Sequence, residues 1–385
     1  MMQYKPLTLG CVAILVMGVA QAGQMPLGTN FWSINWHGAT DVFEEGHENV
    51  SGANPWNPRF LEEIAPYEVL RFMDWGKVNN SGRERFAQRK KKDDPNQSPE
   101  VAYEWMIDLC NRANADLWVC VPHKAEWEYS RELAELIQRE LDPDLKVYVE
   151  YSNETWNGMF DQFQYCIDQG VELNLPGQDM EPGENQYYCG WAYHVYAAVR
   201  HFENFEEVFS GEARDRLVTV LAGQTGRLAV YRHHLAVLED ETVNPNGVSP
   251  DAYALAPYFG HEADGADPEV FDELRKDLHE RVAPNVREHA REVQEAGMEL
   301  IAYEGGQHLL DNAVIANRDQ AMYDMYMEYF EVMDDHFSGV FAHYVHVGVG
   351  TPRHMWGALE ETGQDLGEAP KYRAILDYAG QSDRP

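Results

Sequence analysis

The sequence predicts an α/β fold of the (β/α)8, or TIM-barrel, class, with long loops between some strands and helices. Short apolar runs alternate with longer amphipathic stretches, which is the pattern of βα units in a parallel sheet. Eight such runs occur in a chain of 385 residues that is 44% hydrophobic. No internal repeat or linker separates them. Together these observations favour one large barrel domain over two ordinary domains.

The first 22 residues are predicted to be a signal peptide. They contain Lys5, an apolar run from Leu7 to Ala20, and a final Ala20-Gln21-Ala22, the small-x-small pattern of a signal-peptidase site. A membrane anchor is the competing interpretation, but the run is too short to span a bilayer and no second one follows. We therefore expect a secreted or periplasmic protein whose mature chain, residues 23–385, is a single domain.

Eight strand candidates follow in the mature chain. A doubly wound open sheet is the alternative arrangement, but no Gly-rich phosphate-binding loop follows any of them. In order, the candidates are Asn30 to Asn35, Glu68 to Met73, Asp116 to Val121, Lys146 to Tyr151, Leu217 to Ala222, Ala252 to Pro257, Glu299 to Tyr303 and Gly339 to Tyr344.

Helical stretches lie between the strand candidates. Ser98-Pro99-Glu100 is predicted to open one helix, with Ser98 as its N-cap and Pro99 in the first turn. Ser130 is predicted to start another, which ends at the Asp142-Pro143 turn. The longest helical pattern runs from Pro268 to about Ala296. The segments from Gly76 to Gln97 and from Met159 to Tyr188 are predicted to be long loops.

Four cysteines remain once the leader is removed, too few for a disulfide framework in a chain of this size. Cys166 and Cys189 flank a polar stretch that contains Gly and Pro, which favours a bridge between them. Cys110 and Cys120 lie in apolar surroundings and are predicted to be buried thiols.

The net charge is −35, from 65 acidic and 30 basic residues. So negative a chain repels nucleic acid and anionic membranes, which excludes both as expected partners. A net charge of this size is consistent with a protein from a saline habitat. It is nearly as consistent with an ordinary acidic exported protein.

Polar, aromatic and ionisable residues collect where the predicted strands end. Reacting groups of a (β/α)8 barrel lie at the carboxyl ends of its strands, so these positions are the candidate site. Two of them are glutamates, Glu154 after the fourth strand and Glu304 after the seventh. The other candidates, in chain order, are Arg71, Trp75, His123, Asn153, Gln224, Tyr258, His343 and Trp356.

Two carboxyl groups over a barrel mouth are what cleavage of a glycosidic bond requires. One protonates the leaving oxygen, and the other attacks the anomeric carbon or activates water. Their separation, about 5 to 5.5 Å or wider, decides between retention and inversion. Trp32, Trp75, Trp156 and Trp356 offer flat faces for sugar rings, although the first three suit a protein core equally well.

Two segments carry a resemblance to a known family. YVEYSNETWN, at 148–157, resembles the fourth-strand motif of clan A of the glycoside hydrolases, retaining (β/α)8 enzymes of the cellulase and mannanase type. AYEGG, at 302–306, resembles their seventh-strand nucleophile segment. The order of parts agrees over most of the mature chain. The segments Thr155 to Gly158 and VCVPHK do not match well-characterised members, which leaves the substrate open.

The resemblance implies roles for the candidate residues. Glu154 would be the general acid/base and Glu304 the nucleophile, kept ionised and oriented by Arg71 and Tyr258. Asn153 would bind the sugar 2-hydroxyl. Further substrate contacts are expected from Trp356, as the platform of a sugar subsite, and from His123, Trp75, Gln224 and His343.

Structural interpretations compete with some of these roles. Glu154 and Glu304 could belong to structural ion pairs, although Glu rarely ends a buried strand without a task. Glu150 is expected to pair with a cation rather than to react. Arg71 could pair with Asp74 instead of serving the site. The loose cluster of His343, His346 and His354 has no metal-ligand spacing, so no metal is expected there.

The sequence therefore predicts a retaining β-glycoside hydrolase that needs no cofactor and binds a polysaccharide or oligosaccharide. The two long loops favour an open groove and endo action on a β-glucan or β-mannan. An exo-glycosidase or transglycosylase on the same barrel, and a non-catalytic carbohydrate-binding protein, are the alternatives. The oligomeric state is left open, with a monomer favoured.

Overall fold

The computed structural model describes residues 24–32, 42–43, 55–177, 185–348 and 355–380. Eight parallel strands close into a barrel in chain order, with β1 paired to both β2 and β8. The predicted (β/α)8 class is thereby confirmed. The strands are β1 Leu27–Asn30, β2 Val69–Arg71, β3 Asp116–Val121, β4 Val147–Tyr151, β5 Leu217–Ala222, β6 Ala252–Leu255, β7 Glu299–Ala302 and β8 Phe341–His343.

Eleven α-helices are described around the barrel. They are α1 Pro58–Ile64, α2 Tyr103–Ala113, α3 Trp127–Glu140, α4 Asp161–Glu172, α5 Asn185–Val208, α6 Leu228–Leu238, α7 Val270–Asp277, α8 Ala283–Glu295, α9 Ala313–Asn317, α10 Ala321–Asp334 and α11 Pro370–Tyr378. A π-helical turn, Leu278–Val282, joins α7 to α8 into the long helical segment that the sequence predicts. Among the residues described, no helix is both long and apolar enough to cross a membrane.

Side chains alternate along the strands between the helix layer and the barrel interior. On β4, Val147 and Val149 join the large core shared with the helices, whereas Tyr148 belongs to a smaller cluster of strand residues. Because side chains alternate along a strand, Glu150 points to the same side as Tyr148. The same alternation sends Arg71 inward on β2, where it meets Glu150. The sequence thus places a buried ion pair inside the barrel, below its mouth.

The first strand differs from its prediction. The sequence predicts a strand that begins at Asn30, whereas β1 ends there. The pairing of β1 with Val69–Arg71 and with Phe341–His343 uses residues 27–30. Residues 33–35 of the predicted strand, and the predicted signal peptide, lie outside the described residues. The other seven strands lie within their predicted ranges.

Two predicted helix starts and one predicted loop also differ from what the structure shows. Ser98 is not the cap of α2, because the Gln97 side chain instead accepts the Ala102 amide at 2.8 Å, and the helix begins at residue 103. Ser130 lies inside the first turn of α3, where its hydroxyl donates to the Trp127 carbonyl at 2.8 Å. The predicted loop at 159–188 contains α4, whose amphipathic face was hidden by its many polar residues. The segment 76–97 is irregular, as predicted, apart from one 3-10 turn.

The predicted bridge between Cys166 and Cys189 is wrong. Both are buried free thiols, like Cys110 and Cys120. The two cysteines lie on α4 and α5, which pack side by side rather than enclosing a loop that needs a tie. The Cys189 thiol instead lies 3.8 Å from the Leu175 carbonyl.

Candidate active site

Arg71, the last residue of β2, is the centre of a hydrogen-bond network inside the barrel. Its guanidinium is fully buried and donates to both oxygens of Glu150, with Nη2 2.9 Å from Oε2. Nη1 donates to Glu304 Oε1 at 3.1 Å and to Asn30 Oδ1 at 3.0 Å. Nη2 also donates to Asn153 Oδ1 at 2.9 Å. One cation therefore connects the ends of β1, β2, β4 and β7.

Glu304 follows β7 and is held at both carboxylate oxygens. Oε1 accepts from Arg71, and Oε2 accepts from the Tyr258 hydroxyl at 2.9 Å. Tyr258 is itself fixed, because Arg281 Nη2 donates to its carbonyl at 3.0 Å and Asp277 binds Arg281 at 2.6 Å. A cation and a hydroxyl donor both favour the charged form of a carboxyl group. Their positions orient Glu304 at the mouth of the barrel.

Glu154 lies at the tip of β4 in an unusual backbone conformation. Its φ is 41°, and that of Ser152 is 59°, both in the left-handed region that residues other than glycine rarely adopt. Its Oε1 accepts from the Tyr303 hydroxyl at 2.9 Å, and its Oε2 accepts from Asn157 Nδ2 at 2.8 Å. Such conformations cost about 1 kcal/mol or more and persist where the surroundings enforce them. This turn aims the carboxyl group of Glu154 at the mouth.

The charge of Glu304 depends on its surroundings. Burial raises the pKa of Glu304 to about 8; Arg71 opposes the rise, and the charge of Glu154 adds to it. The hydrogen bond from the Tyr258 hydroxyl also lowers the pKa of Glu304. The charged form of Glu304 therefore depends on its two contacts, Arg71 and Tyr258.

A cavity of about 490 Å³ opens beside Glu154. Its walls come from the segments that follow β4, β5, β6 and β7, and they mix aromatic, amide and imidazole groups. The lining residues are Glu154, Trp156, Asn157, Gly158, Gln224, Thr225, Gly226, Ala256, Tyr258, His261, Arg281, Tyr303, His308 and Leu310. A second cavity of about 490 Å³ adjoins it across Arg281.

Comparison with known proteins gives a fold but no sequence relative. No protein-family profile matches the chain, and no curated protein matches it in sequence. The barrel is shared with a known β-glycosidase. The enzyme from the hyperthermophile Thermosphaera aggregans aligns with a TM-score of 0.54 and 11% identity, over 94% of this chain and 97% of that one.

Two further solved structures are similar. Fpglu1 from Fervidobacterium pennivoraus has a TM-score of 0.51 and 10% identity, over 93% of this chain and 96% of that one. A modular endo-β-1,4-mannanase of glycoside hydrolase family 26, from Cellulomonas fimi, has a TM-score of 0.47 and 11% identity, over 94% of this chain and 71% of that one. At these identities the comparisons show the fold alone. Glycoside hydrolases are among the structural neighbours, in agreement with the resemblance found in the sequence.

The structure brings the central predicted residues together at one end of the barrel. Arg71, Asn153, Tyr258 and Glu304 are joined by hydrogen bonds, and Glu154, which follows Asn153 in the chain, is held separately by Tyr303 and Asn157. Arg71 pairs with Glu150 and Glu304 rather than with a carboxylate on its own strand, so the alternative of a local pair is not what the structure shows.

Other predicted residues lie around this centre. Gln224 is exposed and lines the cavity, and so does the partly buried Trp156, whose ring packs edge-on at 6.2 Å from Tyr303. Trp356 lies at the edge of the site, its ring 5.4 Å from that of His308.

Three predicted sugar contacts are instead buried. Trp75 is enclosed in the core, stacked on Trp56, and has no face open to a ligand. His343 is buried against Tyr326, 3.0 Å from its hydroxyl. His123 is buried edge-on to Tyr165, and burial lowers its pKa to about 4. The sequence placed all three near strand ends but did not show which way their side chains turn.

Several site residues were not singled out from the sequence. Tyr303 and Asn157 hold Glu154, and each is near a predicted glutamate, a proximity that could have marked them. Tyr344 follows β8 and donates to Asp74 Oδ2 at 3.2 Å. Asp74, known from the sequence only as a possible partner of Arg71, lies partly exposed after β2.

The histidine cluster considered from the sequence does not form a metal site in the described part of the chain. There, no three His, Cys, Asp or Glu side chains come together as a metal ion would require. His343 and His346 are both buried, and His354 lies outside the described residues.

Proposed function

We propose that the protein is an exported, retaining β-glycoside hydrolase that cleaves a β-linked polysaccharide. The observation that carries the proposal is the pair of glutamates in contrasting surroundings. Glu304 lies between Arg71 and the Tyr258 hydroxyl, and Glu154 lies at the wall of an open cavity. The shared barrel of a known β-glycosidase supports the proposal at the level of fold.

In the first step, the Glu304 carboxylate attacks the anomeric carbon of the sugar. The bond from that carbon to the leaving oxygen breaks as the oxygen takes the proton of Glu154. The products are a glycosyl ester on Glu304, a free leaving sugar, and an ionised Glu154. The Arg71 guanidinium stabilises Glu304 as a carboxylate before the attack and when it is released again.

In the second step, the Glu154 carboxylate takes a proton from water, and the water oxygen attacks the anomeric carbon. The ester bond to Glu304 breaks, and Glu154 is protonated for the next cycle. Two displacements at the same carbon restore its configuration. Asn157 and Tyr303 fix the two oxygens of Glu154 through both steps.

Endo action on a β-glucan or β-mannan is the specific form we propose. The cavity beside Glu154 adjoins the second cavity across Arg281, so the leaving group has space for more than one sugar unit. Glu154 delivers its proton to the leaving oxygen, which places the leaving sugars on the side of these two cavities.

The experiment is a screen of the purified mature protein on β-linked glucans and mannans, following reducing ends and product length. Glu154→Gln is expected to lower kcat by about 10² to 10⁴-fold, and Glu304→Gln at least as much. Glu132→Gln, at an exposed position on α3, is the matched control and keeps full activity. Full activity in both site variants would refute the assignment of Glu154 and Glu304 as the catalytic residues. Mono- or disaccharides as the only products would indicate exo action instead of endo action.

Export is tested separately. Expression with the full leader is expected to give an extracytoplasmic protein whose amino terminus is Gly23, read from the intact mass. A protein that keeps Met1 and stays in the cytoplasm would refute this part of the proposal without touching the chemistry.

A further inference from the structure

Asp74 is a third carboxylate near the reacting pair, and neither proposed step uses it. It follows β2, three residues after Arg71, and its side chain is partly exposed. Two tyrosines connect it to the nucleophile: the Tyr344 hydroxyl donates to Asp74, the Tyr344 ring lies 6.5 Å from that of Tyr258, and Tyr258 donates to Glu304. Asp74 therefore lies at the same end of the barrel as the nucleophile.

The nearest cation does not neutralise Asp74 directly. The five N–H groups of Arg71 are directed to Glu150, Glu304, Asn30 and Asn153. Among the described residues, the single side-chain donor to Asp74 is the Tyr344 hydroxyl, which reaches Oδ2 at 3.2 Å. An ionised carboxylate offers about four acceptor positions, so the partly exposed Asp74 retains acceptor capacity.

Aromatic rings cluster around Tyr344, the partner of this carboxylate, on the side of the barrel formed by β8, β1 and β2. The Trp32 indole donates to the hydroxyl of Tyr344, which fixes the direction in which that hydroxyl donates to Asp74. The Trp356 ring lies 6.1 Å from that of Tyr344 and 5.8 Å from that of Trp32. Apolar ring faces beside a few placed polar groups are typical of sites that bind small polar ligands.

This side of the mouth lies away from the cavity walls that follow β4, β5 and β6. In the proposed reaction the leaving sugar occupies that cavity, so the sugar that is transferred to Glu304 must lie on the side of β1, β2 and β8. We infer that Asp74 is a specificity-determining residue that accepts hydrogen bonds from hydroxyl groups of this transferred sugar. This inference rests on the proposed function, because the proposed reaction determines which sugar of the substrate lies beside Asp74.

The ionisation of Asp74 offers a further readout. Burial raises its pKa to about 6, while the Tyr344 hydroxyl and Arg71 oppose the rise. The titratable groups that face it are Tyr344 from the end of β8, Arg71 on β2 and Glu304 after β7. Binding that depends on the charged carboxylate is therefore lost as the pH falls through about 6.

The test is calorimetric titration with cellopentaose and with mannopentaose, in a Glu154→Gln background that slows cleavage. Asp74→Asn is expected to weaken binding of the preferred pentaose by about 10- to 100-fold, since hydrogen bonds to a charged group are lost. Asp215→Asn is the matched control, because Asp215 is exposed in the turn before β5, at the opposite end of the barrel. It is expected to bind as tightly as the background protein.

A merely structural role for Asp74 would act through Tyr344, and Tyr344→Phe separates the two. We expect a loss of less than about 10-fold for Tyr344→Phe, with the Asp74→Asn loss undiminished when both changes are combined. Binding to the background protein should also weaken below about pH 6, and this dependence should disappear with Asp74→Asn.

Equal losses in Asp74→Asn, Tyr344→Phe and their combination would overturn the inference, as would a background protein that binds neither pentaose. The proposed function fails differently. If the protein with Glu154 intact binds a pentaose but releases no reducing ends from it, hydrolysis is refuted while the role of Asp74 in sugar binding stands.

Discussion

At the scale of single residues, Arg71 determines what the site can do. It is buried with two glutamates, so the barrel interior contains more negative than positive groups. Burial of an unpaired charge is costly, so contacts with Arg71 decide how readily a carboxyl group ionises there. Arg71 lowers the pKa of Glu304 against the effect of burial, which favours the ionised form that a nucleophile requires.

Tyr258 provides the first residue-scale prediction. Tyr258→Phe removes the hydroxyl that donates to Glu304 at 2.9 Å, so the charged form of Glu304 is less stable. We expect kcat to fall by about 10- to 100-fold, and the acidic limb of the pH profile to move to higher pH. Steady-state kinetics of Tyr258→Phe and of the exposed control Tyr187→Phe measures both. Unchanged values for Tyr258→Phe would show that this hydrogen bond has no part in the reaction.

The second residue-scale prediction concerns the charge of Glu304. Because burial and the charge of Glu154 raise the pKa of Glu304 to about 8, the attacking carboxylate should form as the pH rises through about 8. With an aryl glycoside whose leaving group needs no acid, kcat/KM of the native protein should rise over this range. In Glu154→Gln the rise should occur at lower pH, because the charge of Glu154 no longer raises the pKa of Glu304. A rise at the same pH in both proteins would contradict this interaction.

Part of this site follows from the sequence, and the rest requires the fold. The resemblance to clan A enzymes predicts Glu154, Glu304, Arg71 and Tyr258 as site residues. It does so because each position of a family's motif has a particular chemical role. Burial direction could not be predicted in the same way: His343 ends a strand like a site residue, yet its ring turns into the core. The packing of side chains against helices decides this, and a single sequence does not contain it.

At the scale of elements, the strands were easier to predict than the helices. Apolar runs that end in polar residues mark β2 to β8, because a barrel strand is buried on both faces. The helix α4 lies in a segment that the sequence predicts to be a loop, since its polar residues outnumber the few that pack inward. The predicted bridge between Cys166 and Cys189 depends on the same loop, whereas the two cysteines lie on adjacent helices.

The contact between α4 and α5 gives the element-scale prediction. A Cβ atom on Gly170 would lie 2.0 Å from the Cys189 carbonyl oxygen, so Gly170→Ala forces the helices apart. We expect it to lower the free energy of unfolding by about 1 to 3 kcal/mol. Gly82→Ala is the matched control, because a Cβ there meets nothing within 4 Å. Urea unfolding measures both, and equal stabilities would contradict the close packing of the two helices.

At the scale of the whole molecule, the barrel appears with almost no sequence identity to its structural neighbours. The Thermosphaera aggregans enzyme shares 11% identity over nearly the full length of both chains. A barrel requires alternation, closure and strand-end chemistry rather than particular core residues, so the pattern survives when the residues change. This is why the fold was predictable and the sugar specificity was not.

The net charge of −35 yields the prediction for the whole molecule. Mutual repulsion of acidic groups destabilises the folded state, and salt screens it. Between 0.05 and 1 M NaCl the melting temperature should rise by several degrees, on the order of 5 °C. Sucrose at equal osmolality is the control for effects other than screening. A melting temperature that stays constant or falls with NaCl would show that repulsion does not limit stability.

In the proposed mechanism, Glu304 forms a covalent bond to the sugar. A 2-deoxy-2-fluoro-β-glycoside of the preferred sugar, with a good leaving group, slows breakdown of the ester so that it accumulates. Peptide mass analysis after a brief incubation should find one fluoroglycosyl group, attached to Glu304. An unlabelled protein that still cleaves the polysaccharide, or a label on another residue, would refute Glu304 as the nucleophile.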